Sequence, residues 1–191
     1  FDTICHEHLE YYSSKIIIKL MKDNNLRVFD IKPNLTNGGS MRYFICHVNS
    51  KYKDNNKIIL SILNDEKKYK LEHVRTYYKF FKKINLIKKK LNHLLVSINK
   101  KNHLIHGYGA STKGNVLLQY FKISNKLISH IADRNPQKEN FYTPGTKIKI
   151  ISENLSRKMK PKYYLVLPWH FKNEILKREN KIRKNGTKFI F

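Results

Sequence analysis

Gly107-Tyr-Gly-Ala-Ser-Thr-Lys-Gly-Asn115 stands between an apolar strand and a helix, and from that point the chain alternates strand with helix to its last residue. Glycines at such a junction let the backbone approach a ligand closely. The helix that follows offers N–H groups with no partner of their own and the positive end of its dipole, a setting suited to phosphate. From Asn102 the order reads strand, helix, strand, irregular loop, strand, helical turn, strand, helix, strand. The strands are expected at His103–His106, Leu127–Asp133, Lys147–Ile151, Tyr163–Leu167 and Lys188–Phe191. Their near-continuous apolar character predicts a mostly parallel sheet covered by helices, an α/β architecture. The last helix, from His170 to about Asn185, should stop at Gly186, a residue suited to the left-handed turn after a helix.

Upstream, residues 13–24 read as a short helix behind a serine cap. Leu26–Ile31 alternates apolar and polar, and Met41–Val48 returns from the turn signal Asn37-Gly38-Gly39, so an antiparallel pair joined by the loop 32–40 is expected. From Asp65 to about Asn99 a basic, amphipathic stripe recurs through Leu71, Val74, Tyr78, Phe81, Ile84, Ile87, Leu91, Leu94 and Ile98. It predicts a long helix bridging two lobes, with a break near Asn85.

The formal charge of +25 does not by itself mark a nucleic-acid binder. Lys outnumbers Arg 32 to 7, only two Ala occur, and Lys is spread over the whole chain, a skew that accompanies AT-rich codons. Readers of phosphate and bases favour the rigid fork of Arg. Cys5 and Cys46 lie far apart without a C-x-x-C pair, which fits a reducing cytosol rather than a disulfide scaffold. No apolar run approaches the roughly 20 residues of a membrane span, and a cytoplasmic protein is expected. Because the chain begins with Phe, in what reads as the middle of an element, a piece of a longer protein is also expected.

Chemistry concentrates in few places. Phe1-Asp-Thr-Ile-Cys-His-Glu-His8 sets His6, Glu7 and His8 side by side. Imidazoles take and return protons near neutral pH, and a carboxylate beside one can fix its tautomer. A metal held by Cys5, His6 or His8 with Cys46 and His47 lacks a standard zinc spacing, and no metal site is assigned. In the glycine-rich loop, Thr112 occupies the place of the third glycine of G-x-G-x-x-G, so a full dinucleotide site is not expected. Ser111, Thr112 and Lys113 nonetheless favour phosphate. Asp133 ends the next strand, about 24 residues past Gly109, where such folds often place an acid for a ribose hydroxyl. Asn37-Gly-Gly-Ser-Met-Arg42 is a backbone-rich turn with one Arg beside it, and Tyr142-Thr-Pro-Gly-Thr146 is a structural turn. Leu167-Pro-Trp-His-Phe171 puts the only Trp at a strand's carboxyl end, where it could meet a ligand or fill a core.

Five segments in order, FDTICHEH, NGGSMRYF, GYGASTKGN, ADRNPQKENFYTPGT and LPWHFKNEI, resemble the C-terminal part of the S-adenosylmethionine-dependent sugar C-methyltransferases that act on nucleotide-linked 4-keto-deoxysugars. The resemblance implies a Rossmann-like C-terminal domain preceded by the last helix and antiparallel strands of a methyltransferase domain. Residues 1–50 would end that methyl-donor domain, 51–100 would be a linker and long bridging helix, and 101–191 the C-terminal domain. It further implies that S-adenosylmethionine is bound mainly by a donor domain not contained in these residues, joined in cis or supplied in trans. Zinc would belong only to an N-terminal segment before that domain. Such a chain would be inactive without its donor domain.

The resemblance also implies roles. The family's Tyr-His-Glu-His motif carries the base on its last His, here His8, with Glu7 as supporting carboxylate and His6 beside it. The motif's Tyr is Cys5 here, which removes a phenolic donor next to a developing oxyanion. Gly38, Ser40 and Arg42 would lie near the nucleotide or sugar, with Gly107, Gly109, Ser111, Lys113, Asn115 and Trp169 along the same cleft. The substrate would be a nucleoside-diphosphate deoxysugar. Two other readings stand beside this one: a sugar-nucleotide-binding remnant or partner subunit without catalysis, and a basic nucleic-acid-binding module.

Overall fold

The computed structural model describes every residue except His6. The chain divides into two compact units, Leu9–Lys83 and Phe1–His8 with Ile84–Phe191.

In the Leu9–Lys83 unit, α1 (Ser14–Asp23) begins at its expected cap, the Ser13 hydroxyl accepting from the Ile16 N–H. The Glu66 carboxylate accepts from the N–H groups of Ser14 and Lys15 at 2.5 and 3.1 Å, so three first-turn donors are satisfied by side chains. β1 (Leu26–Asn34) pairs antiparallel with β2 (Ser40–His47), with a bulge between Val28 and Asp30. Val28 and Ile31 of the hairpin and Ile62 of α2 (Asn56–Lys68) form the buried centre, and Ile17, Ile18 and Met21 of α1 pack against it.

The basic stripe is not one helix broken near Asn85. α2 starts at Asn56, behind the Asn55 side chain, and the interruption falls before Val74. There Lys70 adopts φ 55° and the Leu71 N–H turns back to the Glu66 carbonyl at 3.2 Å. α3 (Val74–Lys100) continues through Asn85, whose Oδ1 accepts the Tyr120 hydroxyl at 3.1 Å. An Asn whose side chain is engaged elsewhere does not compete with the helical backbone, which is why composition misplaced the break.

The other unit carries β3 (Ile105–Tyr108), α4 (Thr112–Phe121), β4 (His130–Asp133), β5 (Lys149–Ser152), α5 (Glu153–Lys158), β6 (Tyr163–Val166), α6 (Lys172–Arg178), α7 (Asn180–Lys184) and β7 (Lys188–Ile190). Its five strands run in the order β5-β4-β3-β6-β7 and every pair is parallel. With the small antiparallel sheet, this is the mixed, Rossmann-like α/β fold expected. The order reverses between β3 and β6, so the two chains leaving their carboxyl ends diverge and open a crevice.

Strand alternation gives the sheet two unlike faces. Ile105, Ile131, Ile150 and Leu165 join Leu95 and Ile98 of α3 and Leu118 and Phe121 of α4 in an aliphatic core. The opposite face is polar at its centre. His106, fully buried, pairs through Nδ1 with the Ser156 hydroxyl at 2.8 Å, and that hydroxyl meets Tyr164 at 2.7 Å. Beside them the Tyr108 hydroxyl donates to Glu179 at 2.7 Å, and Arg157 donates twice to the same carboxylate at 3.0 and 2.5 Å. Burial alone would raise the Glu179 pKa, but these hydrogen bonds outweigh it and hold the group below the usual carboxylate range. The same pull interrupts the final helix: Glu179, at φ −93° and ψ 21°, separates α6 from α7. Gly186 follows at φ 93°, as its placement predicted.

Burial, and then the neighbouring His130, push His106 down to about 4. Unfolded, it would ionise near 6.5, so the unfolded chain takes up the proton first. Stability from this residue is therefore complete above about pH 6.5 and lost as pH falls toward about 4, by roughly 3 kcal/mol. Urea unfolding followed between those pH values should show the midpoint falling, and His106→Asn, which cannot titrate, should flatten that fall.

Candidate functional site

The crevice at the carboxyl ends of β3 and β6 is shaped by side chains that are missing. A Cβ on Gly107 would meet the Ile131 side chain at 2.7 Å, and one on Gly114 would meet Leu167 at 2.6 Å. Gly109 combines φ 81° with a Pro168 ring that a Cβ would meet at 2.7 Å. Gly107 thus makes room for the Ile131 side chain of neighbouring β4, and Gly114 sets how closely α4 lies against Leu167, while Gly109 makes the turn. Its N–H donates to the Ala132 carbonyl at 2.7 Å. Ser111 caps α4, its hydroxyl accepting from the Gly114 N–H at 3.0 Å, so the positive end of α4 opens at the crevice.

Asp133 locks this loop. Its two oxygens accept the N–H groups of Ala110 at 2.6 Å and Asn135 at 2.8 Å. Lys138 adds a bond to the Ala110 carbonyl at 2.7 Å. The acid suited by its position to a ribose hydroxyl is therefore engaged in holding the phosphate-type loop.

The opening octet lies against the same helix. Phe1 stacks on Phe121, ring centres 5.2 Å apart, and packs on Tyr120 at 5.9 Å. Ile4, Cys5 and Glu7 share a 550 Å³ cavity with Thr112, Asn115, Val116, Gln119, Tyr120 and Pro144. That volume lies within the range of small-molecule sites, roughly 300–1,000 Å³. His8 is exposed, and its Nδ1 lies 2.7 Å from the Thr3 carbonyl. A carbonyl can only accept, so Nδ1 carries the hydrogen and the neutral ring bears its basic lone pair on Nε2. His6, read with Glu7 and His8, lies outside the described residues.

Across the crevice, Trp169 is 43% exposed, so it does not fill a core, and its indole N–H donates to Asp2 at 2.7 Å. His170 beside it has a buried Nδ1 with no hydrogen-bond partner among the described residues. Burial, and next the Lys113 ammonium, lower its pKa, against smaller opposing effects of Asp2 and Glu174. Lys113 and Asp2 thus both bear on His170 electrostatically, in opposite directions. Among the described residues no three His, Cys, Asp or Glu side chains gather as a metal ion would require. No helix among the described residues is long and apolar enough to cross a membrane.

A family profile described as C-methyltransferase C-terminal domain matches residues 35–191. The chain belongs to that family. It is also similar to C-methyltransferase NovU of Streptomyces niveus, with 29% identity over 190 residues. That alignment covers all of this chain and 45% of the relative, so the chain spans less than half of that protein's length.

Of the residues singled out in sequence, Glu7, Gly107, Gly109, Ser111, Lys113, Asn115 and Trp169 fall in one compact unit, with His8 on the same opening segment. Gly38, Ser40 and Arg42 belong to the other unit. Gly38 closes a 3-10 turn at φ 87°, the Ser40 hydroxyl donates to the Thr36 carbonyl at 3.0 Å, and Arg42 is exposed opposite Lys32. Sequence reasoning passed over Asp2 and His170, although both stand inside quoted segments. Their spacing carries no signal, because their partners lie far away in the chain.

Gly109→Ala should lower stability by about 2 kcal/mol or more, from a left-handed backbone and overlap with Pro168. Ser111→Ala should cost about 1 kcal/mol through its lost cap. Urea titration of both variants measures each.

Proposed function

We propose that this chain is the substrate-side part of a sugar C-methyltransferase, which methylates the carbon next to the ketone of a nucleotide-linked 4-keto-deoxysugar. The observation that carries the reading is the 550 Å³ cavity shared by the opening segment and the first turns of α4. Cys5 and Glu7 of the opening segment and Thr112 and Asn115 at the start of α4 line that space, which supports an acid–base reaction on a phosphorylated substrate with His8, next to Glu7 in the chain, as its base. Similarity to C-methyltransferase NovU of Streptomyces niveus supports the same class.

In this proposal Nε2 of His8 removes the proton from the carbon beside the ketone, whose anion is delocalised as an enolate. Its tautomer is set for that task, because Nδ1 already donates to Thr3. Glu7, on the cavity wall, would favour the imidazolium that forms. Lys113 and the start of α4 would hold the diphosphate, and Asn115 the sugar. Cys5 leaves open space where a bulkier hydroxyl-bearing side chain would stand, so a water there could serve the oxyanion. S-adenosylmethionine, held by a donor domain outside this chain, would supply an electrophilic methyl group. Gly38, Ser40 and Arg42 would contribute to nucleotide or sugar binding.

Trp169 is the only tryptophan, so its fluorescence reports the crevice directly. Titration with nucleoside diphosphates should change that signal, and Lys113→Ala should weaken binding about tenfold, as loss of one charged phosphate contact would. With a donor domain and a nucleoside-diphosphate 4-keto-deoxysugar, product should be methylated on carbon. His8→Ala should lower that rate about 100-fold or more, with nucleotide affinity retained. Nucleotide binding without methylation in the assembled system would favour the non-catalytic reading. No nucleotide response, with salt-sensitive binding to random oligonucleotides, would overturn the proposal.

A further inference from the structure

A base on a short opening segment works only if that segment is held in place. Local turns shape it: the Ile4 N–H returns to the Phe1 carbonyl at 2.9 Å and the His8 N–H to the Cys5 carbonyl at 3.1 Å. Such turns fix shape but not position. Position comes from long-range contacts. Phe1 wedges against Phe121, and Asp2, 9% exposed, accepts the Trp169 indole N–H across 167 residues of chain.

We infer that the Asp2–Trp169 hydrogen bond is a positioning device for the His8 base, with both side chains acting through the segment and neither touching the reacting atoms. The inference rests on the methyl-transfer reading above and deepens it. Three observations carry it. Asp2 is buried, and a buried carboxylate without a donor is costly, so this pairing is strongly held. Trp169 is exposed over much of its surface yet delivers an indole N–H, a donor that phenylalanine lacks, to that carboxylate. The donor also stands just past the carboxyl end of β6, with the His170 ring edge-on at 5.8 Å, so the segment is referenced to the wall of the substrate crevice. Base and substrate then share one rigid reference. A displacement of about 1 Å between reacting groups can cost about 100-fold in rate.

The same contact explains why a tryptophan, rather than phenylalanine, stands at 169. Phenylalanine would keep the ring contact with His170 and leave Asp2 without its donor. The segment would still fold locally but lose its reference to β6.

The test uses the single indole resonance of the full chain labelled with nitrogen-15. In Asp2→Ala that resonance should shift, and its exchange with water should quicken about tenfold, as loss of one hydrogen bond would allow. Amides 3–5 should lose protection in Asp2→Ala and in Trp169→Phe, while those of α4 keep theirs. Asp2→Asn retains an acceptor oxygen and should restore most of both signals. With a donor domain and a nucleoside-diphosphate 4-keto-deoxysugar, either disruptive variant should lower kcat about tenfold with KM nearly unchanged. The double variant should be no slower than the worse single one. An indole signal indifferent to Asp2→Ala, additive rate losses, or a rise in KM without loss of kcat would each overturn the inference. If the unaltered protein transfers no methyl group, the functional proposal fails by itself, and the indole and amide signals still decide whether the segment is pinned.

Discussion

The close approach of β3 to β4, and of the loop after β3 and α4 to the residues just past β6, governs this structure. Gly107, Gly109 and Gly114 are places where a single carbon atom would collide with Ile131, Pro168 or Leu167. Interiors are packed densely enough that such overlaps cannot be absorbed locally. With the glycines in place, α4 can begin beside the carboxyl ends of both strands. The loop can also turn sharply enough for Asp133 to seize it from the neighbouring strand. The cavity against the opening segment exists because α4 lies where that close approach puts it.

Sequence patterns carried the architecture well where each signal is local. Ser13 as a cap, Gly186 after the last helix, the hairpin around Asn37-Gly38-Gly39 and the succession of strands and helices from Ile105 onward all depend on near neighbours. The failures have the opposite character. The break before Val74 and the continuity through Asn85 depend on how Lys70 turns and on what Asn85 bonds to across 35 residues. Glu179 divides the final helix because Arg157 and Tyr108 draw it inward, and neither is visible in helical spacing.

The site divides the same way. Glycine spacing and adjacent proton-transfer groups mark the loop and the octet. Asp2 is different, because only the fold brings it to Trp169. Asp133 carries a further lesson: a carboxylate at a position associated with ligand contact has its oxygens occupied by backbone amides. Position in a fold proposes a role, and the partners of individual oxygen atoms decide it.

The two faces of the parallel sheet have a consequence for how the strands find one another. Slipping β3 by one residue would carry His106 and Tyr108 into the aliphatic core and turn Ile105 toward Ser156, Glu179 and the arginines. Each misplaced group would then be stranded, polar among hydrocarbon and hydrocarbon among charges. An all-aliphatic sheet would tolerate such an offset far better. The buried polar cluster thus acts as an alignment key for the central strand, and the crevice inherits its geometry from that key.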